Sequence, residues 1–304
     1  MPTLCVLLAL AFPGADERPE PGKLRVLILD GQNNHDWRAT SPLMKSHLEA
    51  AGLFEVEVSS NLPAGGRPGT LKTAPFPPRL EKYAVAVLNY NGAAWPKPFN
   101  ADFEARVREG KLHLVVVHAA NNAFSDWKEY NEMIGMGWRG NTFGSRLAFS
   151  PDGKPSLVEK GKGPGAGHGA KHPFQIVIRD TEHPVTRGMP TEWMHTADEL
   201  YHGMRGPIKD VKVLATAFAD KKKGGTGEHE PMIWTVAYGK GRVFHTPMGH
   251  DVDGMKCVGF QATLQRGTEW AATGKVTIGL PKNFPTRDKT SSVGSATGKG
   301  SPGG

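Results

Sequence analysis

A doubly wound, mostly parallel α/β sheet in a single domain is the fold class this sequence predicts, on three observations. Short, nearly continuous apolar runs such as Leu24–Asp30 have the look of parallel strands covered on both faces. Each run ends in a polar loop rich in Gly, Asn or His, and helical segments with start and stop signals lie between the runs. Near the C-terminus, Met232–Tyr238, a Gly239-Lys240-Gly241 turn and Arg242–Thr246 read as a β-hairpin.

The elements follow in order. After the first strand and a Gly/Asn/His/Asp loop, Ser41-Pro42 supplies an N-cap and a first-turn proline for a helix over Leu43–Ala51, stopped by Gly52. Phe54–Val58 is a second strand, and residues 61–79 form a long Pro/Gly-rich loop. Tyr83–Leu88 is the third strand. A helix over Asn100–Glu109, capped by Asn100 and ended by Gly110, leads to the fourth strand, Leu112–Val117, which runs into His118. Residues 124–137 read as helical around Trp127, Tyr130, Met133 and Ile134. The Gly/Lys/Pro-rich stretch 150–172 is expected to be a mobile excursion. Strands over Phe174–Ile178 and Val211–Ala217, the hairpin, and a helix over Met255–Ala272 complete a flavodoxin-like domain spanning 24–280. The tail, 281–304, lacks the apolar content to pack and is expected to be disordered.

Composition narrows the function classes. The 304 residues are enough for a substantial core, and 38% apolar with 22% charged residues describes a soluble globular protein. A net charge of +7 raises the question of nucleic acid, but the charge is dispersed and no nucleic-acid motif accompanies it. The densest basic run, Lys221-Lys222-Lys223, reads as a solvated loop. Nucleic-acid and membrane partners are not expected, and the sequence leaves the oligomeric state open. Leu4–Phe12, followed by Pro13-Gly14-Ala15, has the pattern of a signal-peptide apolar core with small residues near a cleavage point. This predicts a signal peptide over 1–15, a linker over 16–23 and a periplasmic or secreted protein; without cleavage the protein would be cytoplasmic. Cys257 is then the only cysteine of the mature chain, which excludes an intramolecular disulfide, and it reads as a buried thiol.

In an open parallel sheet the carboxyl ends of neighbouring strands converge on one crevice. Four segments aim there: Asp30 to Trp37, Asn89 to Gly92, His118 to Asn122, and Gly249-His250-Asp251. Amides beside histidines and a tryptophan suit sugar hydroxyls and a sugar C–H face. Asn33, Asn34, Asp36, Trp37, Asn91, Asn121 and Asn122 are therefore the candidate substrate binders. His118 and His250 are the candidate acid/base pair, because imidazole exchanges protons near neutral pH. Glu199 is the candidate second carboxylate. On a continuous strand through Thr196–His202, either Glu199 or His202 would reach the crevice, but not both. No G-x-G-x-x-G, G-x-x-x-x-G-K-[ST] or G-x-S-x-G occurs in the matching context, and alanines follow His118 where a nucleophile would stand. Acid/base or metal-assisted chemistry is favoured. His35, His118 and His250, with Asp36 and Glu199 nearby, offer a mixed nitrogen/oxygen shell for one divalent ion such as zinc. No ligand spacing is diagnostic, so a metal-free site stays open beside it.

These segments resemble the trehalose-utilisation (ThuA-like) family. The resemblance rests on Val26-Leu27-Ile28-Leu29-Asp30-Gly31 with Asn34 to Trp37, Val116 to Ala120, and His183-Pro184-Val185-Thr186-Arg187-Gly188. Asp198-Glu199-Leu200-Tyr201 and the hairpin from Trp234 through Gly249-His250 complete it. It implies a class I glutamine amidotransferase-like fold without that group's catalytic cysteine, and a role in carbohydrate catabolism with disaccharides or their keto derivatives as substrates. The expected protein is an exported enzyme performing hydrolysis, elimination or isomerisation on a small carbohydrate, and not an amidotransferase. The alternative is a non-catalytic sugar-binding or scaffold protein on the same fold.

Overall fold

The computed structural model describes residues 22–62 and 73–294. The expected signal peptide, all but the end of the linker, part of the Pro/Gly-rich loop and residues 295–304 lie outside the described residues. The strands are β1 (Leu24–Asp30), β2 (Phe54–Ser60), β3 (Thr73–Ala74), β4 (Val85–Asn89), β5 (His113–Val117), β6 (Arg146–Phe149) and β7 (Pro155–Val158). They continue with β8 (Gly167–His168), β9 (His172–Ile178), β10 (Glu192–Asp198), β11 (Tyr201–His202), β12 (Val211–Phe218), β13 (His229–Tyr238) and β14 (Gly241–Thr246). The helices are α1 (Trp37–Ala50), α2 (Lys97–Glu109), α3 (Lys128–Ile134), α4 (Val252–Met255) and α5 (Val258–Thr273).

One large sheet runs β10-β9-β12-β13-β14-β5-β4-β1-β2-β3, with β6 and β7 branching from β13. From β14 to β3 every neighbouring pair is parallel. Within that half, β2-β1-β4-β5-β14 has the 2-1-3-4-5 order of flavodoxin-like folds. The hairpin β13–β14 turns the sheet antiparallel, and β12, β9 and β10 extend it as a wing. The period-2 alternation of the buried strands decides the layers. Val26, Ile28, Val85, Val87, Val115 and Val117 face the side covered by α1 and α5, where Met44, Leu48, Phe260 and Leu264 pack. Leu27, Leu29, Ala86, Leu88, Leu114 and Val116 face the side of α2 and α3, packing with Phe103, Val107, Tyr130 and Ile134.

Several local expectations are corrected. Helix α1 starts at Trp37, capped by Asp36 accepting from the Ala39 amide, and Pro42 lies inside it. Pro42 forgoes the bond that an N–H there would make to the Arg38 carbonyl, and the helix carries this single loss, so Ser41-Pro42 does not mark the start. Helix α2 starts at Lys97 after Pro96 and has no side-chain cap, so Asn100 is an interior residue. The final helix is two, α4 and α5, parted at Lys256-Cys257. The 150–172 stretch is not a loose excursion. It carries β7 and β8 and is hydrogen-bonded into the body. The tail packs as far as residue 293: Met194 N–H donates to Thr286 O, Val258 N–H to Ser291 O and Val293 N–H to Lys256 O. The segment is mostly polar, but backbone hydrogen bonds along β10 and the start of α5 hold it, and Phe284 packs on Trp193 at the edge of the core.

Candidate functional site

Four strand ends deliver four side chains to one point. His35 follows β1, His118 follows β5, Glu199 follows β10 and His250 follows β14. One ligand atom from each lies within 4.8 Å of the others. The three imidazoles meet edge to face, with centroids 4.8 Å apart for His35–His118 and for His35–His250, and 5.3 Å for His118–His250. Glu199 Oε2 lies 3.0 Å from His250 Nδ1 and 3.7 Å from His118 Nε2.

The chain holds each imidazole deliberately. His118 has φ 42, a left-handed conformation uncommon for a non-glycine residue, and it sits where β5 breaks into a short 3-10 turn. Its Nδ1–H donates to Pro247 O at 2.6 Å, which turns the Nε2 lone pair toward the site, where the Tyr201 hydroxyl meets it at 2.8 Å. His35 Nδ1 faces Asn33 Oδ1 at 3.2 Å, while the Asn33 amide nitrogen donates to Asn89 O and Oδ1. Asn89 in turn donates to Thr40 and Ser41 at the start of α1. An imidazole whose far nitrogen donates to oxygen presents its near nitrogen as a ligand. Beneath the site, buried Asp198 accepts from four N–H groups. Oδ1 takes Glu199 N–H at 2.8 Å and His250 N–H at 3.1 Å; Oδ2 takes Gly249 N–H at 2.7 Å and His195 Nε2 at 2.8 Å. One carboxylate thus ties the β10 and β14 ends together.

Protonation follows from burial and neighbours. Burial pushes His118 down to about 4, against the opposing pull of Asp198. Burial, and then the nearby His250, also lower His35. Both imidazoles are therefore neutral and have lone pairs to offer at neutral pH. His250 is raised, chiefly by Glu199. Burial alone would raise Glu199, but the contact with His250 and the nearby histidines bring it below its ordinary value. Asp198 is held down to about 2: burial opposes this, and the His195 hydrogen bond and nearby imidazole charge, together with the Gly249 N–H, outweigh it. The set suits a cation, with neutral imidazoles and an ionised carboxylate converging on one point.

Of the residues expected from sequence, His35, His118, Glu199 and His250 come together, and Asn33 orients His35. Glu199 rather than His202 reaches the site, because β10 ends at Asp198 and the chain turns before β11. His202 is buried beside Gly167. Three expected binders are corrected. Asp36 caps α1 instead of facing a ligand or metal. Trp37 is buried at the first turn of α1, with Arg38 over its ring, and leaves no open face for a sugar. Asn121 is fully buried, with its amide against Met204 Sδ and His245 Nε2. Asn34 and Asn91 bond each other side chain to side chain, and Asn34 N–H donates to Asn91 Oδ1 at 3.1 Å. Asn122 bonds the Tyr201 hydroxyl and has a buried Oδ1 without a hydrogen-bond partner. Sequence reasoning missed His168, whose Nε2 lies 3.6 Å from Glu199 Oε1, and Trp138, which packs on Tyr201. A lone histidine in a Gly/Lys-rich run gives no signal of its own. Tyr201 was visible only as one of the residues carrying the family resemblance.

Fold and site together define a flavodoxin-like α/β protein with a three-histidine, one-carboxylate centre at its strand ends. The family model described as trehalose utilisation, ThuA, matches residues 25–271, and the chain belongs to this family, which points to a part in trehalose utilisation. A ThuA-like protein of Parabacteroides merdae is 40% identical with a TM-score of 0.80, the match covering 89% of this chain and 97% of that one. A ThuA-like protein of Bacteroides uniformis shares the fold at 18% identity and TM-score 0.53, over 88% of this chain and 99% of the other. No curated protein sequence matches.

Proposed function

We propose that the protein is an exported enzyme of carbohydrate catabolism that acts on a disaccharide or its keto derivative with one divalent ion, such as zinc. His35, His118, His250 and Glu199 would hold the ion. The observation that carries this is the convergence of their four ligand atoms within 4.8 Å, with the far nitrogens of His35 and His118 turned to oxygen partners. A bound divalent ion would supply Lewis acidity for a sugar oxygen or carbonyl. The residues of the chain do the rest. Asn33 and Pro247 fix the imidazole tautomers, Asp198 holds Glu199 and His250 in place, and the Tyr201 hydroxyl, which meets the His118 Nε2 lone pair, would be freed as a donor to a substrate oxygen when an ion takes that lone pair.

Metal analysis of tag-free protein tests this first. About one divalent ion per chain is expected, lost in His35→Ala, with turnover of trehalose or a keto-disaccharide abolished by chelator and restored by zinc. Full activity in excess chelator would refute the metal and return His118 and His250 to an acid/base pair acting alone. Sugar binding with no turnover across such a screen would favour a sugar-binding protein on the same fold.

A further inference from the structure

The segment from Ser150 to Lys171 is built, and what it delivers to the site is His168. Arg205, fully buried, spends its guanidinium on this segment. Nε donates to Pro164 O at 3.1 Å, Nη1 to Glu159 O at 3.2 Å and to Gly144 O at 3.3 Å, and Nη2 to Lys162 O. The glycines let the strap lie flat on the body. A Cβ on Gly169 would stand 1.9 Å from Lys223 O, and one on Gly203, at φ +65, would stand 2.3 Å from Gly165 O. Pinned in this way, β8 pairs antiparallel with β11, with His168 opposite Tyr201. The His168 ring stacks on Tyr201 at 6.2 Å and lies 5.8 Å from Trp138, which itself meets Tyr201 edge to face at 4.5 Å.

The polar edge of this wall is unfinished. His168 Nδ1 donates to Gly169 O at 2.8 Å, so Nε2 presents a lone pair. It faces Glu199 Oε1, another acceptor, at 3.6 Å. Two acceptors at that separation are matched by hydroxyl donors placed between or across them, and a sugar ring carries such hydroxyls on adjacent carbons. Beside them, partly exposed Trp138 and His168 offer π faces, which take the apolar C–H face of a pyranose. Glu199 therefore looks two ways, Oε2 to the histidine centre and Oε1 to the wall.

The geometry points to a specificity subsite for a sugar ring, formed by His168 on the strap together with Trp138 and Glu199 Oε1, next to the histidine centre. This rests on the carbohydrate reading above and adds to it the residues that select the substrate. His168 and Trp138 bind the ring and leave the metal alone.

Calorimetric titration of the zinc-loaded, full-length protein with trehalose tests the assignment. His168→Ala and Trp138→Ala should each weaken trehalose binding about tenfold or more, with zinc content and thermal unfolding as in wild type. His168→Gln, which restores an acceptor at the same reach, should recover part of the loss. Where turnover is measurable, the loss should fall on KM more than on kcat. Gly169→Ala, which displaces the strap at the residue whose carbonyl holds the His168 ring, should reproduce the binding defect. Wild-type trehalose affinity in both His168→Ala and Trp138→Ala would overturn the subsite while leaving the metal centre standing, as would zinc-loaded wild type that binds no trehalose. A wild-type protein that holds no zinc would instead overturn the metal centre, and with trehalose binding still sensitive to Trp138→Ala the subsite would stand.

Discussion

Asp198→Asn examines how the site is held. The wild-type carboxylate is fully buried and accepts two N–H groups on each oxygen: Glu199 and His250 amides on Oδ1, Gly249 amide and His195 on Oδ2. Asparagine keeps the shape but replaces one oxygen by an NH2 group, so in either orientation two buried donors lose their acceptor. Leaving a buried donor unsatisfied costs about 1–3 kcal/mol, so two cost roughly 2–6. The same change breaks the buried pair with His195, whose imidazole is raised to about 10 by its Cys257 and Asp198 neighbours against the effect of burial. Removing one partner of such a pair costs about 3–5 kcal/mol, a cost that overlaps the first. The expected loss is therefore about 3–5 kcal/mol, read by urea unfolding of metal-free protein at neutral pH. Because Glu199 and His250 lose their backbone tether together, zinc affinity should fall about tenfold or more, equivalent to about 1.4 kcal/mol. A loss under about 1 kcal/mol with zinc affinity unchanged would refute the claim that Asp198 positions the site.

Acid should destabilise the metal-free protein well above the carboxylate range. His118 and His245 are kept neutral by burial, at about 4 and about 3, so the unfolded chain takes up protons that the folded one refuses. Their contribution is whole above about pH 6.5 and is lost as pH falls toward 4, roughly 3 kcal/mol for His118 alone. Urea unfolding at pH 7 and 4.5 measures this, and equal stability at both would contradict it. Asp198, held at about 2, acts with the same sign in a lower window: its contribution stays whole down to about pH 4 and is lost only below, as pH falls toward 2. In the core, Phe103→Ala empties a fully buried position between α2 and the sheet and should cost about 3–5 kcal/mol by the same assay, where a loss under about 1 would mean the helix repacks.

The sequence by itself determined the layers and the crevice. Near-continuous apolar runs in Val26–Leu29, Val85–Leu88 and Leu114–Val117 specify strands buried on both faces, and polar residues after each strand mark the side where ligands bind. His35, His118 and His250 were legible for that reason: each lies at or in the loop just after a strand end, and in a parallel sheet strand ends are neighbours whatever their separation in the chain. Glu199 was legible only as one of two options, because its placement depends on where β10 stops, and the Asp198 hydrogen bonds to β14 decide that. The antiparallel wing and the packing of residues 281–293 were not legible, since backbone hydrogen bonds carry them, helped in the tail by a lone Phe284 against Trp193, and composition does not encode backbone partners. Nor were His168 and Trp138. The strap bearing His168 is placed by a single buried arginine 37 positions along the chain and by glycine contacts with backbone remote in sequence, an arrangement that exists only once the chain has folded.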